Sequence, residues 1–205
     1  MLLAENLSRI PHLVHGFGTR DARDSPTMPL ATVRQIHSAR VVFAETPGVH
    51  GEADALITDR SGFMPGVRTA DCVPILIADP HSHAVAAVHA GWRGTAGHIV
   101  IKALEEMTNR FGTKPEEIAV AIGPAIGKCC FEVGPEVAVQ FGLPPEKHHI
   151  DLAQKNLEQL TSAGVRRGLI AVIGRCTRCE PAAFHSFRRD HEQSGRMVSA
   201  IGWRE

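Results

Sequence analysis

The chain predicts a mixed α/β fold of the α+β type, a mixed β-sheet core with helices packed against it. Two observations carry that expectation: short runs rich in Val, Ile and Ala alternate with amphipathic helical stretches, and some neighbouring runs are joined by loops too short for a crossover helix. The runs at 13–17, 40–44 and 54–58 predict the first strands. Runs at 73–78 and 84–89 follow, separated by Asp79-Pro-His-Ser-His83, which reads as a five-residue hairpin loop. After Thr95 a helix is expected, because Val100, Ala103, Leu104, Met107 and Phe111 recur at helical spacing and Gly112 stands where a left-handed cap closes a helix. Residues 118–122 predict a further strand, and 135–141 a short helix entered through Pro135. Asp151 followed by Gln154 makes a capping box for a helix carrying Leu157 and Leu160, closed at Gly164. Strands at 168–173 and 197–201 complete the set. Without a linker, a low-complexity tract or a repeat, one domain spanning 1–205 is expected.

Composition narrows the function. A chain of 205 residues with 43% hydrophobic positions can bury a core without a disulfide or metal to hold it. Lys plus Arg balances Asp plus Glu at 22 each, so no global charge draws the protein to nucleic acid or anionic lipid, and neither is expected as a partner. The start, MLLAENLSRIPHL, lacks the basic flank and long apolar region of a targeting signal, and a cytoplasmic location is expected. Five cysteines, an odd number, then read as reduced thiols. Twelve histidines are many; His81, His83, His148 and His149 look like loop residues, and the informative ones are those at strand ends.

The hairpin brings two such residues together. Folding back about His81 pairs residues whose numbers sum to about 162, which sets Cys72 opposite Ala90 and beside His89; a one-residue bulge would set Cys72 and His89 face to face, roughly 5 Å apart. Alone, either residue is more often a buried or satisfied side chain than a ligand. Together they meet the rim formed by Ala90-Gly-Trp-Arg-Gly94, where glycines permit close backbone approach and Arg93 offers a guanidinium. His37, at the mouth of another β run, is the candidate third ligand. One thiolate and two imidazoles suit Zn²⁺ with an open fourth position, the pattern of a catalytic site. Asp54 and Asp71 are candidates to orient a ligand or handle a proton.

Other groupings weigh less. Cys176-Thr-Arg-Cys179 has metal or redox spacing and Cys129-Cys130 could complete a four-thiol site, but adjacent cysteines are poorly placed to chelate one ion together, so reduced, partly buried thiols are expected there. Gly16-Phe-Gly-Thr-Arg20 reads as a turn rather than a phosphate cradle. His50-Gly-Glu52 with Cys176 and Cys179 echoes a zinc deaminase signature, yet no Pro precedes Cys176 and the gap is too long for the local arrangement that signature needs.

Seven ordered blocks, QIHSARVV, EADALIT, RTADCVPIL, VHAGWRGT, IGPAIGKCCFEVGPEV, DLAQKNLEQLTSAGV and FHSFRRDHEQSGRM, resemble the YfiH-like family over about His15 to Ile201. Members of that family have been described as multicopper polyphenol oxidases or laccases, and later as purine nucleoside phosphorylases with adenosine deaminase activity. The resemblance implies a YfiH-like fold and a zinc site at His37, Cys72 and His89. It also implies phosphorolysis of adenosine, inosine, guanosine and 5'-methylthioadenosine, and deamination of adenosine, with nucleosides and phosphate as partners. Phosphorolysis requires a phosphate holder; Arg93, Arg188 and Arg68 are the candidates, in that order. Two alternatives remain: a hydrolase or amidase of cell-wall precursors with Cys72 as nucleophile and His89 as base, and a copper-dependent laccase. Only DARDSPTMPLATV separates Arg20 from Arg34, shorter than the family's usual segment, a departure that bears on substrate preference more than on the metal ligands.

Overall fold

The computed structural model describes residues 1–21 and 26–204; residues 22–25 of the shortened segment lie outside the described residues. Along the chain run α1 (Glu5–Ser8), β1 (Leu13–Phe17), β2 (Leu30–Arg34), β3 (Val41–Phe43), β4 (Gly48–Glu52), β5 (Ala55–Thr58), β6 (Met64–Thr69), β7 (Val73–Asp79) and β8 (Ala84–Ala90). There follow α2 (Trp92–Ala96), α3 (Ile99–Phe111), β9 (Ala119–Ile122), β10 (Glu132–Val133), α4 (Pro135–Ala138) and β11 (His148–His149). The chain ends with α5 (Leu152–Ser162), β12 (Ile170–Val172), α6 (Phe187–Asp190) and β13 (Met197–Trp203).

Two mixed sheets form, with orders β1-β13-β6-β2-β4 and β12-β9-β7-β8-β5-β3, and β10 and β11 make a small separate ribbon. The larger sheet is buried on both faces, which is why β7 and β8 read as continuous apolar runs rather than alternating ones. Its pleat sorts the residues: Leu76, Ala78, Val85 and Ala87 face the smaller sheet and share a core with Phe17, Val67 and Ile201. Ile75, Ile77, Ala86 and Val88 face the other way, against Val100, Leu104 and Met107 of α3 and Leu157 and Leu160 of α5. The result is three layers: sheet, sheet, helices.

Local signals held at the helices. Gly112 caps α3 at φ 68°, and the Asp151 carboxylate accepts the Gln154 N–H at the start of α5. The expected helix over 135–141 is α4 continued by a 3₁₀ turn. Strands not expected in the two sheets are β2, the solvent-facing β4 with two glycines, and β6, which carries Pro65 and Gly66; β10 of the small ribbon was not expected either. His148 and His149, expected in a loop, form β11.

The hairpin forms with a different register. Asp79 stays in β7 and pairs with Ala84, so the loop is four residues, not five, and partner numbers sum to one more than expected: Val73 pairs with Ala90 and Pro74 with His89. The loop is held by Asp79, whose carboxylate accepts the His81 N–H at 2.9 Å and the Ser82 hydroxyl at 2.7 Å. No bulge interrupts the pairing, and Cys72 precedes the strand, two residues before His89's partner.

Candidate functional site

Cys72, His89 and His37 converge although Cys72 and His89 are not direct partners. Residues two apart on a strand share a face, so Cys72 lies diagonally across from His89, within reach of its ring. His37 arrives on the loop between β2 and β3 with a left-handed backbone, φ 57°, and its ring centroid stands 5.0 Å from that of His89. One ligand atom from each of the three residues lies within 4.8 Å of the others. Gly91 is what lets them meet: a Cβ there would stand 3.0 Å from the Cys72 sulfur and 3.4 Å from His37 Cδ2.

Asp54, fully buried at the start of β5, organises the cluster. Its carboxylate accepts the N–H groups of His37 at 3.0 Å and Ser38 at 2.6 Å, the Ser38 hydroxyl at 2.7 Å and the His89 Nδ1–H at 2.8 Å. Burial alone would raise its pKa; the hydrogen bonds from His89 and Ser38 outweigh it and hold the carboxyl at about 2. Because a carboxylate only accepts, His89 carries its proton on Nδ1 and turns Nε2 towards Cys72 and His37, the orientation that carboxylate partners give to metal-binding histidines. Burial would lower the His89 pKa, but Asp54 and Cys72 raise it to about 9; burial would raise that of Cys72, but the two histidines lower it to about 7.

Asp71 has a different duty. At φ 87° its carboxylate accepts the Thr177 hydroxyl at 2.6 Å, the Ser186 hydroxyl at 3.1 Å and the Arg188 N–H at 2.6 Å. It tethers two distant loops beside Cys72.

The cluster opens into a pocket of 580 Å³, in the size range of small-molecule sites. Ile126, Phe131 and Phe187 supply apolar walls and Arg68, Arg188 and Arg196 supply cations. Arg188 also donates to the Glu132 carbonyl at 3.0 Å and lies over the Phe131 ring, while Arg196 donates to the Ser194 and Gly195 carbonyls. The Arg68 guanidinium has no hydrogen-bond or ion-pair partner among the described residues, its backbone alone pairing with Gln35. Arg93, the first candidate from sequence, does not line the pocket: α2 carries it outward and its guanidinium stacks 4.3 Å over the Trp92 ring. Arg196, absent from the sequence candidates, sits in the RDHEQSGRM block and reaches the pocket only because β13 runs beside β6.

The family model described as multi-copper polyphenol oxidoreductase laccase matches residues 19–204. The chain belongs to this family. A purine nucleoside phosphorylase of Deinococcus radiodurans is 41% identical over 98% of this chain and 77% of the relative. An adenosine deaminase of an unknown prokaryotic organism is 38% identical over 84% of this chain and 74% of that protein. Other family relatives named purine nucleoside phosphorylase are matched over 61% of their length. The solved structure of YlmD from Geobacillus stearothermophilus superposes with a TM-score of 0.86 at 31% identity, covering 98% of this chain and 94% of that one. The family's mixed α+β fold is thus the fold of this chain. No helix among the described residues is long and apolar enough to cross a membrane.

Proposed function

We propose that the protein is a zinc-dependent purine nucleoside phosphorylase with adenosine deaminase activity, acting on nucleosides and phosphate in the pocket that Cys72, His37 and His89 floor. The observation that carries this reading is one thiol and two imidazoles, one of them oriented by a carboxylate, at the base of a cavity with apolar walls and a guanidinium without a partner among the described residues. The names of the phosphorylase and deaminase relatives support the same reading. The donor set fits zinc: three protein ligands and an open side towards the pocket. Zinc held there would supply Lewis acidity and activate water near neutral pH. A multi-copper oxidase would need several copper centres, whereas histidine enters only one candidate cluster among the described residues.

The chain's own residues then divide the work. Phe187, 42% exposed, offers a face on which a purine can stack, and the buried Phe131 backs the wall behind Arg188. Arg68 meets phosphate with a guanidinium fork whose geometry matches its oxygens, and Arg188 and Arg196 add positive potential to the same pocket. Asp54 holds His89 in the tautomer that leaves Nε2 free.

The reading is tested by zinc analysis joined to an assay of hypoxanthine release from inosine with and without phosphate. Undiminished turnover by metal-free protein, or turnover indifferent to phosphate, would overturn it. Arg68→Ala should raise KM for phosphate about 10- to 100-fold, the loss of a charge-assisted hydrogen bond, with little change in KM for inosine.

Zinc binding should also release protons. In the metal-free protein His89, at about 9, is protonated at pH 7, and Cys72, at about 7, is half so. Metal needs both groups deprotonated, so about one to two protons should leave per zinc at pH 7, falling towards zero above about pH 10. Calorimetry in buffers of different ionisation enthalpy, with Cys72→Ala subtracted so that zinc taken up by the other thiols cancels, reads this number, and a value independent of pH would contradict the assignment.

A further inference from the structure

The second cluster of thiols lies on the far side of the pocket wall. Cys129 and Cys130 sit in a turn closed by the Cys130 and Phe131 N–H groups on the Gly127 carbonyl, at 2.9 and 3.0 Å. That curl, unlike an extended strand, swings both adjacent side chains to one side, their sulfurs 3.6 Å apart. The turn thus removes the geometric objection that adjacent cysteines are poorly placed to chelate one ion together. Cys176 and Cys179 come from the loop after β12, where a parallel bridge between Cys176 and Ala125 aligns the two segments. Cys179 stands 3.7 Å from the Cys129 sulfur and 3.3 Å from that of Cys130, and all four sulfurs lie within 4.8 Å of one another.

We propose that Cys129, Cys130, Cys176 and Cys179 bind a second, structural zinc ion that staples the 123–131 loop to the 173–180 loop. A tetrahedron with Zn–S bonds of about 2.3 Å has sulfur–sulfur edges of about 3.8 Å, close to the spacings found. Polynuclear iron–sulfur clusters set inorganic sulfide and several irons between their cysteines and hold the thiolates farther apart, so a single ion fits this spacing. Four protein ligands close the coordination shell, leaving no position for substrate. The surroundings suit a tetrathiolate of net charge −2: the Gly127 N–H points at the Cys176 sulfur at 3.2 Å, an Arg178 guanidinium N–H at the Cys130 sulfur at 3.5 Å, and Lys128 is adjacent in sequence. Gly127 packs closely on the thiols: a Cβ there would stand 3.3 Å from the Cys129 sulfur and 3.5 Å from that of Cys176. The staple bears on the pocket, because Ile126 and Phe131 line it and Thr177, next to Cys176, holds Asp71.

Zinc stoichiometry of protein purified from zinc-supplemented cells tests this, in the wild type, in Cys129→Ser/Cys179→Ser and in Cys72→Ala. Two zinc ions per chain in the wild type and one in each variant is the expected result. One ion in the wild type, lost in Cys129→Ser/Cys179→Ser and kept in Cys72→Ala, also supports the second site while refuting zinc at the first. Zinc content unchanged by the double cysteine substitution overturns the proposal, as does a disulfide between Cys130 and Cys179 in freshly purified, alkylated protein. Should the double variant fail to fold, cobalt substitution of the wild type decides: a charge-transfer band of four-thiolate intensity supports the site, and one of single-thiolate intensity refutes it.

Discussion

Cys72→Ala should abolish phosphate-dependent base release from inosine, lowering kcat/KM by more than 100-fold, and should remove one zinc ion per chain. The thiol is the only anion in its ligand set, and its negative charge offsets the metal's when both leave water. His37 and His89 alone would form a neutral pair, one member of which is exposed and rests on a strained loop. Outer-sphere partners of metal sites are typically worth about 10- to 100-fold in affinity or activity, and a direct thiolate ligand exceeds that. The fold should survive, since Cys72 lies outside the β7 ladder and opens onto the pocket. A melting temperature of the metal-free variant within a few degrees of the metal-free wild type checks this, and inosine turnover within tenfold of wild type would remove Cys72 from the metal site.

What could be read from sequence follows the range of the forces involved. The helices α3 and α5 and the β7–β8 hairpin announce themselves because their hydrophobic period and caps are local. The hairpin's register was missed by one because the side chain of Asp79 builds the turn without taking its backbone out of the strand, a choice made by hydrogen bonds to His81 and Ser82. Strands β2, β4 and β6 escaped because glycine, proline and exposure break their alternation, and β6 is defined by pairing with β13, more than 120 residues away. The convergence of Cys72 and His89 was legible from that hairpin, and His37 was the candidate third ligand from its place at the mouth of another β run. Arg93 was misplaced since adjacency in sequence to Gly91 says nothing of where α2 points, and Arg196 was invisible because only tertiary pairing brings it in.

The remaining large effect is expected at Asp54, which never touches the pocket. Asp54→Asn keeps the size of the side chain but halves its accepting power, and neither placement of the amide satisfies its surroundings. With the amide oxygen facing His37 and His89, the NH₂ meets the Ser38 N–H, two donors in the space of one bond. Turned the other way, the NH₂ meets the His37 N–H and donates to His89 Nδ1. That drives the imidazole proton onto Nε2, the atom that must be bare to bind metal. The first placement strains the loop that presents His37; the second puts His89 in the wrong tautomer. Zinc affinity, measured by competition with a chromogenic chelator, should therefore fall about 10- to 100-fold, with inosine turnover falling in step at limiting zinc. Stability should fall by about 1–3 kcal/mol, the cost of a buried donor left unmatched, seen as a lower Tm in metal-free protein. Excess zinc should restore part of the turnover, because mass action can select the productive tautomer but cannot repair the loop. Full retention of zinc affinity would show that His89 is oriented by something other than the carboxylate that holds its Nδ1.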